Sequence, residues 1–204
     1  MYLPKHFEET RTEVLHAWMR KHSFATLVRR GPDGLVADHL PFLVDAEPGP
    51  HGKLRAHCAR NNPAWRELQS SPEALVIFQG AHGYISPSYY PTKRKDGRVV
   101  PTWNYFIVHA TGQARVIEDA QWLRGLVTEL TGKHESGRKD PWKVTDAPEE
   151  FVEQMLTAIV GLEIPITKLV GKKKASQNRV EADRWGVIEA LRSEGREDEA
   201  ALVE

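Results

Sequence analysis

The stretch PTWNYFIVHATGQARV, residues 101–116, is one of the most strongly patterned in the chain. Its aromatic and β-branched residues predict a long strand over 103–117. Trp103 and Asn104 stand side by side at the start of that strand. Such a pair indicates either a packed corner of a β-barrel or a wall for a flat ligand with polar edges.

Upstream of this strand the chain contains short β-prone runs separated by Gly, Pro, Asn and Asp. These runs are FATLVRR, LVADHLPFLVD, KLRAHCA, ALVIFQG and GYISP. In the GPDG segment at 31–34, Pro32 presets φ and Gly34 permits a positive φ, so a turn is predicted there. We therefore expect residues 24–44 to form a hairpin. A charged loop tipped by Asp96 and Gly97 is expected to lead into the long strand.

Helical periodicity appears near the N-terminus and again after the long strand. The first predicted helix places four apolar residues on one face: Val14, Leu15, Trp18 and Met19. The helix predicted over 119–131 has its apolar face formed by Trp122, Leu123, Leu126, Val127 and Leu130. The helix predicted over 147–160 has its apolar face formed by Phe151, Met155, Leu156, Ile159 and Val160. LEIPITKLVG then predicts a strand, in which Pro165 favours an edge or a bulge. A final amphipathic helix is expected to fray into an acidic end.

Many short strands followed by peripheral helices predict a β-barrel of the α+β class. At 204 residues the chain is most simply one domain with a substantial core. Apolar residues make up 40% and charged residues 27%, which is typical of a globular protein. Lys and Arg number 28, as do Asp and Glu, so a nucleic-acid contact requires a local basic patch.

Cellular location is indicated by the cysteine content and by the apolar runs. The single Cys58 excludes an intrachain disulfide and fits a reducing compartment. The N-terminal residues lack a signal-peptide core, and no apolar run approaches the roughly 18–20 residues that span a bilayer. We expect a cytoplasmic protein without a membrane segment.

Several common catalytic motifs do not occur in the sequence. No G-x-G-x-x-G opens a helix, and GKKKAS at 171–176 lacks the earlier glycine of a P-loop, since Ile166 stands there. No glycine lies two residues on either side of Ser86, which excludes a nucleophile elbow. The nine histidines include no H-E-x-x-H, so no metal site is predicted. Cys58 is expected to be a buried small residue.

Five polar clusters interrupt the apolar strands. They are HLPF at 39–42, AHCARNNPAW at 56–65, GYISPSYY at 83–90, the stretch around Trp103, and KASQNR at 174–179. Each alone is more often turn or capping chemistry. Together they supply the cations, hydroxyls, small polar groups and aromatic faces that flavin mononucleotide (FMN) requires, although many anionic planar ligands need the same groups.

The segments MYLPKHF, HCARNNPAW, YISPSYY, VPTWNY and KASQNR resemble successive motifs of the PaiB family of FMN-binding negative transcriptional regulators. The resemblance runs in order from Met1 to about residue 190, which implies one FMN-binding domain over 1–190 and an acidic helix end or tail over 191–204. It implies an antiparallel split β-barrel related to pyridoxamine-phosphate oxidases and flavin reductases. It also implies a homodimer with FMN in the groove between the protomers.

The resemblance further implies a set of FMN-binding residues. Arg60 is nominated for the phosphate, and His57 for the phosphate or the ribityl chain. HLPF presents backbone to the ring, and the GKKKASQNR segment reaches towards the neighbouring protomer's site. The full set is His39, Leu40, Pro41, His57, Arg60, Asn61, Asn62, Ser86, Ser88, Trp103, Asn104, Lys174, Gln177 and Arg179.

Three functions remain open at this point. The family implies a negative transcriptional regulator, yet no helix-turn-helix is apparent and the basic stretches 93–98 and 172–174 are short. The alternative is an FMN-dependent oxidoreductase without direct DNA binding. His39, His57 and Tyr105 are its possible proton donors, but they form no recognisable catalytic constellation. An FMN sink or partner-binding module with neither activity is a third possibility.

Overall fold

The computed structural model describes residues 1–204 and contains nine β-strands and seven α-helices. The strands are β1 (Glu8–Glu9), β2 (Phe24–Gly31), β3 (Gly34–Pro41), β4 (Leu43–Asp45), β5 (Lys53–Ala59), β6 (Glu73–Ile85), β7 (Thr102–Gln113), β8 (Arg115–Ile117) and β9 (Ile159–Lys174). The helices are α1 (Thr12–Lys21), α2 (Ala64–Ser70), α3 (Lys93–Asp96), α4 (Ala120–Glu135), α5 (Glu149–Thr157), α6 (Glu181–Ser193) and α7 (Glu197–Val203).

The strands follow the neighbour order β3-β2-β6-β7-β9-β5-β4, and β1 and β8 each pair with β9. The registered pairs are antiparallel. The architecture is therefore the mixed α+β type with an antiparallel sheet that the sequence predicts.

The chain divides into two compact units. The first unit comprises residues 1–18, 79–108 and 170–204, and the second comprises residues 19–78 and 109–169. The first unit has a core cluster of Ile85, Tyr90, Val187, Ile188, Leu191, Ala200 and Val203. In the second unit the rings of Phe42 and Phe78 meet edge to face, with centroids 5.9 Å apart. None of the helices combines the length and the apolar character needed to cross a membrane.

The predicted hairpin is confirmed from Phe24 to Pro41. Its two strands pair from Phe24↔Pro41 to Gly31↔Gly34, and Gly34 has the expected positive φ of 130°. The hairpin ends earlier than expected, because the residues after Phe42 form β4 and pair with β5 instead.

Two runs that the sequence separates form one strand. ALVIFQG and GYISP were expected as different strands, because Gly80 and Gly83 interrupt the apolar pattern. They are joined in β6, which has 13 residues. The long strand predicted over 103–117 is confirmed as β7 and β8, with a break at Ala114, whose N–H donates to the carbonyl of Pro72 at 2.7 Å.

The predicted helices form, but the helix predicted over 147–160 is shorter than expected. In α4 the expected face is confirmed by the buried Leu123, Leu126 and Leu130. Helix α5 ends at Thr157, and the residues from Ile159 onward belong to β9. Phe151 and Met155, which were predicted on the apolar face of this helix, are 52% and 43% exposed.

Two expectations for the C-terminal third are also wrong. Of the edge or bulge predicted at Pro165, the edge is wrong, because β9 has β5 and β7 as neighbours on its two sides. The acidic end does not fray. It forms α7, in which Ala200, Leu202 and Val203 are buried, after a turn at Gly195 with φ of 73°.

Candidate functional site

The residues nominated for FMN binding fall into both units. The second unit holds His39, Leu40, Pro41, His57, Arg60, Asn61 and Asn62. The first unit holds Ser86, Ser88, Trp103, Asn104, Lys174, Gln177 and Arg179.

The HLPF segment of the second unit closes strand β3 at one end of the strand order. His39 is exposed, and its ring stacks on Phe24 with centroids 6.3 Å apart. Leu40 and Pro41 are half-buried and lie opposite Ala25 and Phe24. This segment presents polar backbone and one imidazole at the sheet edge.

Arg60 is engaged by protein groups on all three guanidinium nitrogens. Nε donates to the Thr157 carbonyl at 2.7 Å, Nη2 donates to the Ile159 carbonyl at 3.2 Å, and Nη1 pairs with Glu118 at 2.5 Å. These bonds tie the end of β5 to the junction of α5 and β9. Arg60 also lines a cleft of about 630 Å³ between α4 and α5, where Arg124 is paired with Glu149 in the same way.

Asn62 holds its own loop in place. Its Nδ2 donates to Asp38 at 2.9 Å, and its Oδ1 accepts from the Ala64 N–H at 2.8 Å, just before α2. Asp38 in turn pairs with the buried Arg29 at 2.9 Å. Both ends of the Asn62 amide are thus used within the protein, whereas the neighbouring Asn61 is exposed.

His57 lies half-buried in β5, and its Nδ1 is buried without a hydrogen-bond partner. Burial lowers the pKa of His57 below its ordinary value, so the imidazole is neutral at physiological pH. The adjacent Cys58 is 2% exposed, and burial raises the pKa of its thiol to about 11. Such a thiol is unreactive, which agrees with the expected role of Cys58 as a small core residue.

The first unit gathers three cations beside aromatic rings, a set we call the cation cluster: Lys172, Lys174 and Arg179. Lys172 is only 7% exposed; its Nζ donates to the Tyr2 carbonyl at 2.9 Å. The same Nζ lies 5.5 Å and 5.4 Å from the ring centroids of Tyr2 and Tyr105.

The two other cations of the cluster extend it along the same segment. Lys174 Nζ donates to the Trp103 carbonyl at 2.7 Å and to the Thr102 hydroxyl. Arg179 lies 4.6 Å above the ring of Tyr90. Burial, and then the charges of Lys172 and Arg179, lower the pKa of Lys174 below its ordinary value.

None of the three cations of the cluster forms a salt bridge with a carboxylate, whereas Arg60 pairs with Glu118. Three positive charges that are partly desolvated and mutually repulsive favour an anion beside them. The chemistry of the cluster is therefore that of an anion site with aromatic walls.

Asn104 contributes an unused acceptor to the first unit. The residue is 2% exposed, its Nδ2 donates to Ser176 Oγ at 2.9 Å, and its Oδ1 is buried without a partner. Ser176 adopts a positive φ of 62°, which is uncommon for a residue other than glycine. Gln177 holds this turn by accepting from the Ala175 N–H at 2.6 Å and donating to the Lys173 carbonyl.

Ser86 and Ser88 form a local turn. Ser86 Oγ accepts from the Ser88 N–H at 3.2 Å, and the two hydroxyls lie 2.7 Å apart. Ser88 also borders a cleft of about 470 Å³ together with Tyr89, Arg94 and Glu189. The two hydroxyls thus have each other as partners.

Trp103 is 53% exposed, which rules out the packed corner of a barrel at this position. Its ring lies beside two side chains of β6: the centroids are 6.4 Å from His82 and 6.2 Å from Tyr84. The sequence nominated Trp103 and Asn104 for FMN binding, but it did not nominate His82, Tyr84, Tyr105 or Lys172 for that role. Period-two alternation along β6, β7 and β9 could have found those side chains, since His82 and Tyr84 share the parity of Ser86, Tyr105 that of Trp103, and Lys172 that of Lys174.

No group of three or more His, Cys, Asp and Glu side chains is arranged to hold a metal ion. The donor groups of the first unit are ammonium, guanidinium, amide and hydroxyl groups, which suit a phosphorylated organic ligand.

Comparison with known proteins places this chain among flavin-binding proteins. Residues 1–168 match the family described as "Putative FMN-binding domain". The chain is 34% identical over 204 residues to the "Protease synthase and sporulation protein PAI 2" of Bacillus subtilis, covering 100% of this chain and 95% of that protein. It is 32% identical over 230 residues to the "Uncharacterized protein AN0679" of Emericella nidulans, covering 96% of this chain and 92% of that protein.

The solved structure of the FAD and heme binding protein from Mycobacterium smegmatis resembles this fold with a TM-score of 0.62 at 18% identity. The likeness covers 82% of this chain and 73% of that one. Together with the antiparallel sheet and its helices, it confirms the expected α+β split-barrel fold. The family match and the full-length similarity to PAI 2 show that the chain belongs to the PaiB family of FMN-binding proteins, with FMN as its cofactor.

Proposed function

We propose that the protein is a homodimeric FMN-binding negative regulator of transcription, in which the cation cluster holds the FMN phosphate. The observation that carries this proposal is the cluster itself: Lys172, Lys174 and Arg179 lie together, and none of them forms a salt bridge. A phosphate dianion is the complement of such a group, because charge-assisted hydrogen bonds to phosphate are among the strongest in proteins.

The other groups of the first unit fit the rest of the cofactor. Asn104 Oδ1 is a buried acceptor that lacks a donor, and Asn104 Nδ2 holds Ser176 in the turn beside the cluster. Ser176 follows Lys174 by two residues, and its hydroxyl accepts from Asn104 Nδ2. Trp103 is next to the cluster because its carbonyl accepts from Lys174 Nζ. FMN, when bound, supplies electron-transfer chemistry, and these residues bind and orient it.

Arg60 is a weaker candidate for the phosphate than its motif suggests. Its guanidinium already bonds two carbonyls and Glu118, so an incoming phosphate competes with an existing ion pair. The remaining residues of the second unit, His39 to Pro41, His57 and Asn61, stay candidates for contacts with the cofactor. His57 offers a neutral ring whose Nδ1 has no partner.

Replacement of Lys172 by Met tests the phosphate assignment. Loss of one charge-assisted contact is expected to weaken FMN binding by about tenfold or more, measured by titration of the apoprotein. Lys173→Met is the matched control, since it removes the same charge from the next residue of β9, which is not part of the cluster. Equal FMN affinity in the two variants contradicts the assignment.

The regulator role is supported by the motifs of the PaiB family and by the similarity to the relative named "Protease synthase and sporulation protein PAI 2". The candidate surface for DNA consists of Lys93, Arg94 and Lys95 of α3 together with Arg98, all of which are exposed and form no salt bridge. Four cations of this kind suit contacts to a phosphate backbone.

Fluorescence anisotropy with duplex DNA, measured across salt and with and without FMN, tests this role. We expect tighter binding to duplexes selected from the genome than to random duplexes, with a salt slope that decreases when Lys93 and Lys95 are replaced by Gln. Absence of any sequence preference, combined with bleaching of the flavin band by NADH or NADPH at a turnover rate, favours the oxidoreductase alternative.

A further inference from the structure

The cleft of about 630 Å³ between α4 and α5 lies in the second unit, and an ion pair stands at each of its ends. At one end Arg60 bonds the carbonyl of Thr157, the last residue of α5, and pairs with Glu118, two residues before α4. At the other end Arg124, one turn into α4, pairs at 2.5 Å with Glu149, the first residue of α5. Because the cleft runs along α5 from its first residue to its last, it is about 12 Å long.

The floor of the cleft is apolar, and its wall carries one unpaired charge. Leu123 and Leu156 form the floor; they are 1% and 6% exposed and belong to one core cluster. Ala120 lines the cleft beside them. Glu153 lies midway along α5, one helical turn from each end of the cleft, and it forms no salt bridge or side-chain hydrogen bond.

The charges that line the cleft leave one negative charge unbalanced. Glu118 and Glu149 balance the two arginines, whereas Glu153 has no cationic partner. A carboxylate attracts an ammonium group, and a charge-assisted hydrogen bond between them is stronger than one between neutral groups. An anionic ligand has to displace a carboxylate from an existing pair before it can bind an arginine here. The cleft therefore suits a small organic cation with an apolar body, and its volume is typical of small-molecule sites.

We propose that this cleft binds a monovalent organic ammonium ion, whose apolar body covers Leu123 and Leu156 while its ammonium group donates to Glu153. The two ion pairs close the ends of the site and limit the length of the ligand. This inference goes beyond the proposed function and needs neither FMN nor DNA. The cation cluster belongs to the first unit, and Arg60 contributes to the cleft through its existing pair with Glu118.

Calorimetric titration of the apoprotein with three probes that share a phenylbutyl body tests the preference for a cation. At about pH 7 phenylbutylamine is a cation, phenylbutanol is neutral and phenylbutyrate is an anion. We expect the amine to bind about tenfold more tightly than the alcohol, and the alcohol more tightly than the carboxylate. Equal affinity for the three probes, or no binding of the amine, overturns the inference.

Glu153→Gln keeps the shape of the side chain but removes its charge, so it should weaken binding of the amine about tenfold and leave the alcohol unchanged. Glu150→Gln is the matched control, because Glu150 is exposed on the same helix, forms no salt bridge and does not line the cleft. Ala120→Trp fills the cleft from an exposed position and should weaken all three probes, so it reports on the site if Glu153→Gln fails to fold. Amine affinity that is the same in Glu153→Gln and Glu150→Gln contradicts the assignment of the ammonium group to Glu153.

A repeat of the amine titration at saturating FMN distinguishes a failure of this inference from a failure of the proposed function. The amine affinity should be unchanged, because the proposed phosphate site belongs to the first unit. Displacement of the amine by FMN would place the cofactor in the cleft and overturn both proposals. If the protein binds the amine but no FMN, the proposed function fails and this inference stands; if it binds FMN but not the amine, this inference alone fails.

Discussion

At the scale of single residues, Lys172 shows what sequence motifs convey and what they omit. The KASQNR motif nominated Lys174, Gln177 and Arg179, and these residues do lie together at the end of β9 and in the turn that follows it. Lys172 was not nominated as a binding residue, because its significance comes from its contacts with Tyr2 and Tyr105, which are distant in sequence. Arg60 shows the reverse: its motif is clear, but its partner Glu118 is 58 residues away, and no local pattern reveals that pairing.

Lys174 is expected to give FMN binding an alkaline limit below that of an ordinary lysine. An exposed lysine has a pKa of about 10.4. Burial and two neighbouring cations lower the pKa of Lys174, so this side chain loses its proton at a lower pH than an exposed lysine does. FMN affinity should therefore fall, by about tenfold, as the pH rises through this lowered pKa. Lys174→Arg, which stays protonated, should move the decline to higher pH. A titration of FMN between pH 7 and about pH 10.5 checks the shift, and identical profiles for the two proteins contradict it.

His57 is expected to make folding sensitive to mild acid. Its folded-state pKa lies below the unfolded value of about 6.5, so the unfolded chain binds more protons between these two values. The stability contributed by the neutral ring is therefore present above about pH 6.5 and is lost as the pH falls through the folded-state pKa. Urea unfolding of the wild type and of His57→Gln between pH 7 and about pH 5 measures this. The variant should lose less stability across that range; parallel pH profiles are the contrary result.

At the scale of elements, periodicity predicted the main helices and the hairpin, whereas packing between distant segments decided the exceptions. Gly83 lies within β6 and does not end it. The side chains of Arg196 and Glu199, near the start of α7, pack so close to this position that a Cβ would clash with them, so the glycine serves this contact. The acidic end folds as α7 because three apolar residues among its charges are buried, and Ala200 and Val203 join the core cluster of α6. In α5 only Val152 and Leu156 of the apolar residues reach a core, which leaves Phe151 and Met155 outside.

Leu202→Ala is expected to destabilise the protein, because α7 is a packed helix and not a frayed tail. Leu202 is 5% exposed, and truncation of a buried leucine typically costs about 2–5 kcal/mol. We expect a value near the low end, about 2 kcal/mol, at this chain-terminal position. The free energy of unfolding in urea is the measurement, with Ala201→Ser at the exposed neighbouring position as the control. Equal stability of the two variants would mean that α7 does not pack.

At the scale of the whole molecule, equal numbers of acidic and basic residues do not reveal which charges are paired in the folded chain. The unpaired cations Lys172, Lys174 and Arg179, together with the basic residues of α3, belong to the first unit. The sequence predicted the class of fold and the cofactor through family motifs, because the order of these motifs along the chain can be read without knowing their contacts. It could not show which cations are neutralised, since that depends on the long-range pairs of the folded chain.

Assembly is expected to respond to the cofactor. If FMN binds between two protomers, its binding energy adds to that of dimer formation, and saturating ligand stabilises the dimer by about 2.7 kcal/mol at 100 times Kd. Sedimentation or light scattering over a range of protein concentrations should show a dimer that dissociates less readily with FMN than without it. A monomer in the presence of excess FMN contradicts a shared site.

The most direct test of the central claim is the ratio of the riboflavin Kd to the FMN Kd, which isolates the contribution of the phosphate. The account predicts a ratio of about tenfold or more for the wild type and for Arg60→Met, since Arg60 is already paired with Glu118. In Arg179→Met the ratio should fall towards one, because a cation of the cluster is lost. A ratio that survives in Arg179→Met and falls in Arg60→Met would place the phosphate at Arg60 and contradict the account.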